Sequence, residues 1–320
     1  MDGVLVVDKP GGMTSFDVVR QLRRASGVRR VGHGGTLDPM ATGVLPICLG
    51  EATKLAQFLL DADKVYDATI CFGVETDTYD ADGAETQRSD ASGVTEAQVL
   101  AALPAFRGAI RQKAPAYSAL KRDGEPLYAY ARRGEAVDPP ERAVVIHELT
   151  LVRFDGPGAV MVRVRCSKGT YIRSLAFDLG RALGPGAHLT ALRRTRSGPF
   201  AIESARPLAE LVAALRAPGG APPDLIGLAQ ALGHLPVLHV DASSALAVRQ
   251  GKAVAWSALV GAADAVAEPI DDRFQARFQL LAPGGGLLAV AERGVDGLVR
   301  SLRVFNDVQT SAESGKRASV

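Results

Sequence analysis

The sequence predicts a mixed α+β protein in two domains, on three observations. Strand-patterned and helix-patterned segments are interspersed along the first 234 residues. From residue 235 the pattern changes to short strands separated by glycine turns, which reads as a small barrel-like β domain. At 320 residues the chain is also longer than most single-core domains.

Taking the elements in order, residues 3–8 are a β-branched run expected to form a buried strand, stopped by Lys9-Pro10-Gly11-Gly12. Thr14-Ser15-Phe16-Asp17 starts a helix, with Ser15 as its cap and Val18, Val19 and Leu22 as its apolar stripe. Arg20, Arg23, Arg24, Arg29 and Arg30 lie on or just after it, where a solvated face is the plain reading. Residues 44–49 read as a strand, 51–60 as an amphipathic helix and 64–73 as an alternating strand.

The acidic stretch 76–83 is rich in oxygen ligands but lacks the residue order and closing glutamate of a calcium loop, so a charged hairpin loop is expected there. Residues 95–103 have helical character. Residues 111–140 hold prolines, tyrosines and mixed charges without a clear period, as in a surface excursion or a functional loop. Strand patterning resumes at 144–146 and 159–166. Residues 167–180 pass from strand through a glycine turn into a helix, with Arg173 near its first turn. A cation is disfavoured at that position and calls for a carboxylate partner.

Residues 207–231 are an Ala/Pro-rich helical region. Beyond 235, strands are expected at 237–240, 274–281, 286–291 and 300–305, with a helix at 244–251 and a polar, disordered tail over 309–320.

Composition narrows the class of protein. With 47% hydrophobic and 22% charged residues the chain can bury a sizeable core, and with aromatics at 5% that core is mainly Leu, Val and Ala. Lys and Arg total 37 against 35 Asp and Glu, so net charge alone does not point to a nucleic acid. The distribution is uneven, however. Residues 161–200 carry Arg163, Arg165, Lys168, Arg173, Arg181, Arg193, Arg194 and Arg196 against one acid, Asp178, whereas residues 61–103 are strongly acidic. A polarised surface with one basic face is the expectation. Cys48, Cys71 and Cys166 are scattered without metal-ligand spacing and read as reduced structural thiols. No apolar run approaches 18 residues and no signal peptide is evident, so a cytoplasmic protein with no membrane association is expected.

The stretch most suggestive of chemistry is Gly32-His33-Gly34-Gly35-Thr36-Leu37-Asp38-Pro39-Met40-Ala41-Thr42-Gly43. Its four glycines permit left-handed backbone or close approach to a ligand, and Asp38 is set between Leu37 and a proline. It has neither the ending of a P-loop nor the spacing of a dinucleotide fingerprint. Either a structural turn or a rigid loop presenting one carboxylate fits these residues.

Five motifs occur together: Asp8-Lys9-Pro10 followed by Thr14-Ser15, the glycine loop around Asp38, Lys64 with Tyr66, Tyr117-Ser118-Ala119-Leu120-Lys121, and Ser167-Lys168-Gly169-Thr170-Tyr171-Ile172-Arg173. In that order they resemble the TruB family, the tRNA pseudouridine-55 synthases. The resemblance covers nearly the whole chain. It implies a catalytic domain over residues 1–234 on a mainly antiparallel sheet, with a thumb-like insertion at about 111–142 that grips RNA, and a β-rich PUA domain over 235–308.

By the same resemblance Asp38 is the catalytic aspartate, Tyr66 the active-site tyrosine and Arg173 the arginine paired with the aspartate. Tyr171 and Leu192 line the uracil pocket, His33 contacts the displaced nucleotide, and Lys9 and Pro10 support the site and are counted with the substrate-binding residues. Taken alone, Tyr66 reads as a core residue of a strand before a catalytic one, and His33 fits a simple turn residue.

The implied reaction breaks a glycosidic bond, turns the uracil and rejoins it through carbon, with no redox change and no cofactor. A carboxylate can attack, or stabilise charge at the sugar, and Arg173 nearby favours its charged form. The uridine must first be flipped out of its stack, and the basic run would contact phosphates. The implied partner is the T arm of tRNA, bound by a monomer without an obligate protein partner. Catalysis on another RNA, or assistance to tRNA folding, remain alternatives. Lys113-Ala114-Pro115 departs from the family's more usual pair of prolines before the tyrosine, which bears on loop stiffness.

Overall fold

Gly3–Lys9 (β1) is aliphatic on both faces and is stopped by Pro10, so it sits inside a sheet and ends abruptly. A computed structural model describes residues 1–118, 120–122, 124–135, 139–220, 222–259 and 277–306. Helix α1 (Ser15–Ser26) follows. Its N-cap is Thr14 rather than Ser15: the Asp17 amide donates to the Thr14 hydroxyl (3.1 Å) and the Thr14 amide to the Asp17 carboxylate (3.0 Å). Ser15 is thereby released from capping and turns inward.

Strands β2 (Val31–His33) and β3 (Thr42–Leu49) bracket the glycine loop. The stretch expected as one helix over 51–60 divides into a 3₁₀ turn, Gly50–Leu55, and helix α2 (Ala56–Asp61). The turn is tight because Glu51 is drawn inward to Arg30 and Lys54 and its amide donates to Asp2 (2.6 Å).

Strand β4 (Lys64–Phe72) alternates buried and half-buried residues as its sequence requires. Then come the hairpin β5 (Val74–Thr76) and β6 (Glu85–Arg88), helix α3 (Glu96–Ala102) capped by Thr95, and β7 (Gly108–Lys113). Between β7 and β10 lie the short pair β8 (Lys121–Arg122) and β9 (Glu125–Pro126) and helix α4 (Leu127–Arg132). Strands β10 (Glu141–Phe154) and β11 (Ala159–Cys166) form a long hairpin leading to α5 (Ile172–Leu183).

Next is β12 (Ala187–Ser197), for which the sequence raised no strand expectation because its second half carries three arginines. After it come β13 (Phe200–Ala201), β14 (Arg206–Pro207), α6 (Leu208–Arg216) and α7 (Leu228–Ala231). The large sheet runs β14-β1-β3-β12-β4-β11-β10-β7, with β2 attached to β3 and β13 to β12. Its pairings are antiparallel except β1 with β14 and β3 with β12, which makes β12 the strand that joins the two halves of the sheet. One face packs against α1, α5 and α6 through Leu22, Leu175 and Leu211.

The expected basic face does not survive folding. Much of the two runs is paired in the fold: Arg163 of β11 with Asp67 of β4, Arg165 with Asp63 and with Glu148 of β10, Lys168 with Asp61 at the end of α2, and Arg181 of α5 with Glu75 of β5. Arg193 pairs with Asp8 and Arg173 with Asp38, while Arg194 is buried. Charge segregated along the chain becomes charge paired across the sheet.

The C-terminal part begins with β15 (Val237–His239), α8 (Ala242–Arg249) and β16 (Val254–Ala255), and continues with β17 (Phe278–Leu281), β18 (Leu287–Arg293) and β19 (Leu298–Val304). These strands form a separate sheet in the order β15-β17-β18-β19-β16. Leu281, Leu287, Val290 and Phe305 share a buried cluster with Val4, Val44 and Phe58, so this sheet is seated on the outer face of β1, β3 and α2. Most of the unusual stretch 256–272, and the tail at 309–320, lie outside the described residues. No helix among the described residues is long and apolar enough to cross a membrane.

Candidate active site

The glycine loop between β2 and β3 is held from beneath. Arg194, 1% exposed, donates to the carbonyls of Gly35 (3.1 Å), Thr36 (3.1 Å) and Val44 (2.7 Å). The inward-turned Ser15 accepts from the Leu37 amide (2.8 Å) and donates to its carbonyl (3.2 Å). Lys9, with no exposed surface, donates to the carbonyls of Pro39 (3.1 Å) and Pro10 (2.8 Å). Buried cations and a hydroxyl thus satisfy the carbonyls of residues 35–37 and 39, leaving Asp38 presented on a rigid turn closed by Ala41 N–H to Asp38 C=O (3.1 Å). Gly43 is required here: it has φ +100°, and a Cβ would stand 2.2 Å from the Arg194 carbonyl where β3 meets β12.

Asp38 opens onto a cleft of about 850 Å³ whose wall includes His33, Tyr66, Tyr117, Tyr171, Arg173 and Leu192. Arg173, in the first turn of α5 and 5% exposed, meets the expectation of a carboxylate partner with two of them. Its Nη2 donates to Asp38 Oδ1 (3.1 Å). Its Nε stands 2.9 Å from Asp38 Oδ2 and 3.5 Å from Asp80 Oδ2, in line for a hydrogen bond to neither. Its remaining donors reach the carbonyls of Thr78 (3.1 Å) and Tyr117 (3.2 Å).

Asp80 lies in the loop of the β5–β6 hairpin, as expected for that charged stretch. Within it Asp80 is 4% exposed, its carboxylate accepting from the Thr78 hydroxyl (2.6 Å) and the Asp82 amide (3.1 Å). Burial pushes its carboxyl above the usual range, opposed by Thr78 and then by Arg173. The loop is stitched to the start of β12 through Leu189, which draws Asp80 inward. Neither Asp80 nor Arg194 was singled out for the site by sequence. For Arg194 the readable signal was strand alternation, which places it on the same side as Leu192.

Tyr66 and Arg194 are direct cross-strand partners of β4 and β12, which sets the Arg194 charge beside the Tyr66 side chain. Burial raises the Tyr66 phenol above its ordinary value, so it keeps its proton at neutral pH. Leu192 stands two residues before Arg194 on the same face and, like Tyr66, is at once buried and part of the cleft wall. His33 borders the cleft, its Nδ1 accepting from the Gly35 amide (3.4 Å), and burial with Arg194 nearby lowers its pKa, which leaves it neutral. Tyr171 caps α5, its backbone held on both sides by Gln112 (2.7 and 2.9 Å) and its ring covered by Arg142 at 5.7 Å.

Lys9 and Pro10 are not brought to the cleft. Lys9 is sealed beneath the loop, with burial lowering its pKa to about 8, and Pro10 is exposed outside the wall, so their grouping with substrate-binding residues is corrected to a supporting position. Among the described residues no group of three His, Cys, Asp or Glu side chains forms a metal-binding cluster.

Comparison with known proteins places the chain in a family. Residues 23–172 match the family model described as TruB family pseudouridylate synthase (N terminal domain), and residues 173–218 match the tRNA pseudouridylate synthase B C-terminal domain. A tRNA pseudouridine synthase B of Aromatoleum aromaticum is 50% identical over 80% of this chain and 82% of its own length. The chain belongs to the TruB family of pseudouridylate synthases. A further TruB relative, the tRNA pseudouridine synthase B of Syntrophotalea carbinolica, is 41% identical over 96% of this chain and 99% of its own. Among solved structures, a chain of an H/ACA RNP bound to a substrate RNA containing 2'-deoxyuridine is similar, with 27% identity, a TM-score of 0.71, and coverage of 95% of this chain and 85% of that one. The TruB chain thus has the pseudouridine synthase fold, with mixed helices and strands around one large sheet. Asp38 and Tyr66 fall in the first matched segment and Arg173 and Leu192 in the second.

Proposed function

We propose that this enzyme isomerises the T-loop uridine at position 55 of tRNA to pseudouridine, with Asp38 as the acting carboxylate. The observation that carries the reading is the Asp38 carboxylate, 31% exposed at the cleft and held by Arg173 with Tyr66 and Leu192 alongside. Relatives named tRNA pseudouridine synthase B support tRNA as the substrate.

In this reading the uridine leaves its stack at a cost of about a few kcal/mol and enters the cleft. Arg173 fixes the carboxylate against the sugar or base. The bond from N1 to C1′ breaks, the uracil turns between Tyr66 and Leu192, and C5 bonds to C1′. The proton lost from C5 is matched by one gained at N1, so the reaction is an isomerisation and draws on no cofactor. Tyr66 retains its proton, so it serves in proton transfer or in packing the base. His33, neutral, faces the space the base vacates.

Residues 1–234 act as the catalytic domain, with the insertion at about 111–142 gripping RNA, and 235–308 as a PUA-like RNA-binding domain. The enzyme works as a cytoplasmic monomer on the T arm and also assists tRNA folding. The test is incubation with unmodified tRNA transcript followed by chemical mapping of pseudouridine. Wild type should label the T-loop uridine, and Asp38→Asn should bind RNA and yield no product. Absence of product with wild type would sink the reading, and normal turnover by Asp38→Asn would make Asp38 structural.

A further inference from the structure

Helix α1 carries its buried residues Ser15, Val18, Val19 and Leu22 on one side and exposes Phe16, Arg20, Arg23 and Arg24 on the other. The exposed four follow the spacing i, i+4, i+7 and i+8, so they form one stripe. The stripe starts at the cleft: Phe16 is part of the same wall as Asp38 yet 59% exposed. It is the single aromatic among the exposed large hydrophobic residues described. The capping box of Thr14 and Asp17 fixes the backbone beneath it, so the ring is presented from a rigid turn.

Beyond Phe16 the stripe is cationic. Arg20 shares its charge with Asp17 (2.7 Å), and Arg23 and Arg24 have no acidic partner among the described residues. Arg216 of α6 borders the same depression as Arg20 and Arg24. This differs from the long basic run of the sheet, whose charges are largely taken up by acids. A bare aromatic ring followed by unneutralised guanidinium groups is the chemistry that tracks single-stranded or splayed nucleic acid, with bases stacking on the ring and phosphates meeting the cations.

We infer that the RNA flanking the target uridine runs outward along the exposed face of α1, one neighbouring base stacking on Phe16 and the backbone phosphates meeting Arg23 and Arg24. The inference rests on the RNA-modifying function proposed above and extends it to a specific path.

The experiment measures binding of an unmodified tRNA transcript to the full chain at several salt concentrations, beside pseudouridine formation by wild type on the same transcript. Arg23→Gln with Arg24→Gln should weaken binding about 10-fold at low salt and reduce the slope of log affinity against log salt by about 1.5. Phe16→Ala should weaken binding on the order of 10-fold with the slope kept, and Phe16→Tyr should restore it. With 2-aminopurine beside the target uridine, Phe16→Ala should raise the fluorescence of the bound RNA relative to wild type. If wild type makes pseudouridine while these variants bind with unchanged affinity and slope, the path along α1 is wrong and the function stands. If wild type neither binds nor converts the transcript, the function reading fails and this inference with it.

Discussion

Arg173 Nε stands 2.9 Å from Asp38 Oδ2, and Asp80 Oδ2 approaches the same nitrogen to 3.5 Å. The guanidinium therefore faces both a carboxylate open to the cleft and a buried one. Only a planar, forked cation serves Asp38, Thr78 and Tyr117 together. Arg173→Lys should lower turnover about 100-fold, equivalent to about 2.7 kcal/mol. Asp80→Asn should lower it about 10-fold by loosening the arginine. Single-turnover product release reads both, and a Lys variant within twofold of wild type would remove the pair from the chemistry.

Gly43 lies where β3 and β12 meet with no room for a side chain. Gly43→Ala combines a left-handed backbone with contact against the Arg194 carbonyl, and should destabilise by roughly 3 kcal/mol or more. A thermal melt within a degree or two of wild type would show that the strands separate at little cost.

Lys64 is 6% exposed and donates to the carbonyls of Leu60 (2.6 Å) and Ala62 (2.5 Å), and burial lowers its pKa to about 8. The unfolded chain holds that proton up to about pH 10.4. Between pH 8 and about 10.4 the unfolded state thus binds more protons, so this group's contribution to stability rises with pH and is least below pH 8. Subtracting the stability of Lys64→Met, measured by urea unfolding, isolates it, because Lys9 titrates in both proteins. A difference that stays flat or falls across this window contradicts the assignment.

Burial raises the thiol pKa of Cys48 to about 12 and of Cys166 to about 11, while Cys71 is half-buried. A maleimide at neutral pH should label Cys71 alone in the folded protein and all three after unfolding. Early labelling of Cys48 would mean that the contact between the two sheets opens readily, since Cys48 lies in the cluster they share.

By itself the sequence determined most of the elements, because apolar periodicity and glycine or proline stops are local: β1, β4 and β11 fall within a residue of their expected bounds, and α5 starts after its glycine turn. It also marked the glycine loop, since a run nearly free of charge that presents one aspartate is unusual at the level of composition. The motif order carried the family resemblance. Tertiary structure alone decided the partners. Strand β12 was obscured because its arginines look solvated until β3 and β4 close over Arg194. Asp80 looked like one acid among several until Leu189 of β12 drew its loop toward Arg173. The basic run lost its free charge when the sheet set it beside the acidic one, and unneutralised cations were left on α1. In each case the deciding contact joins residues far apart in the chain, and local pattern records what a side chain is, not what folding sets beside it.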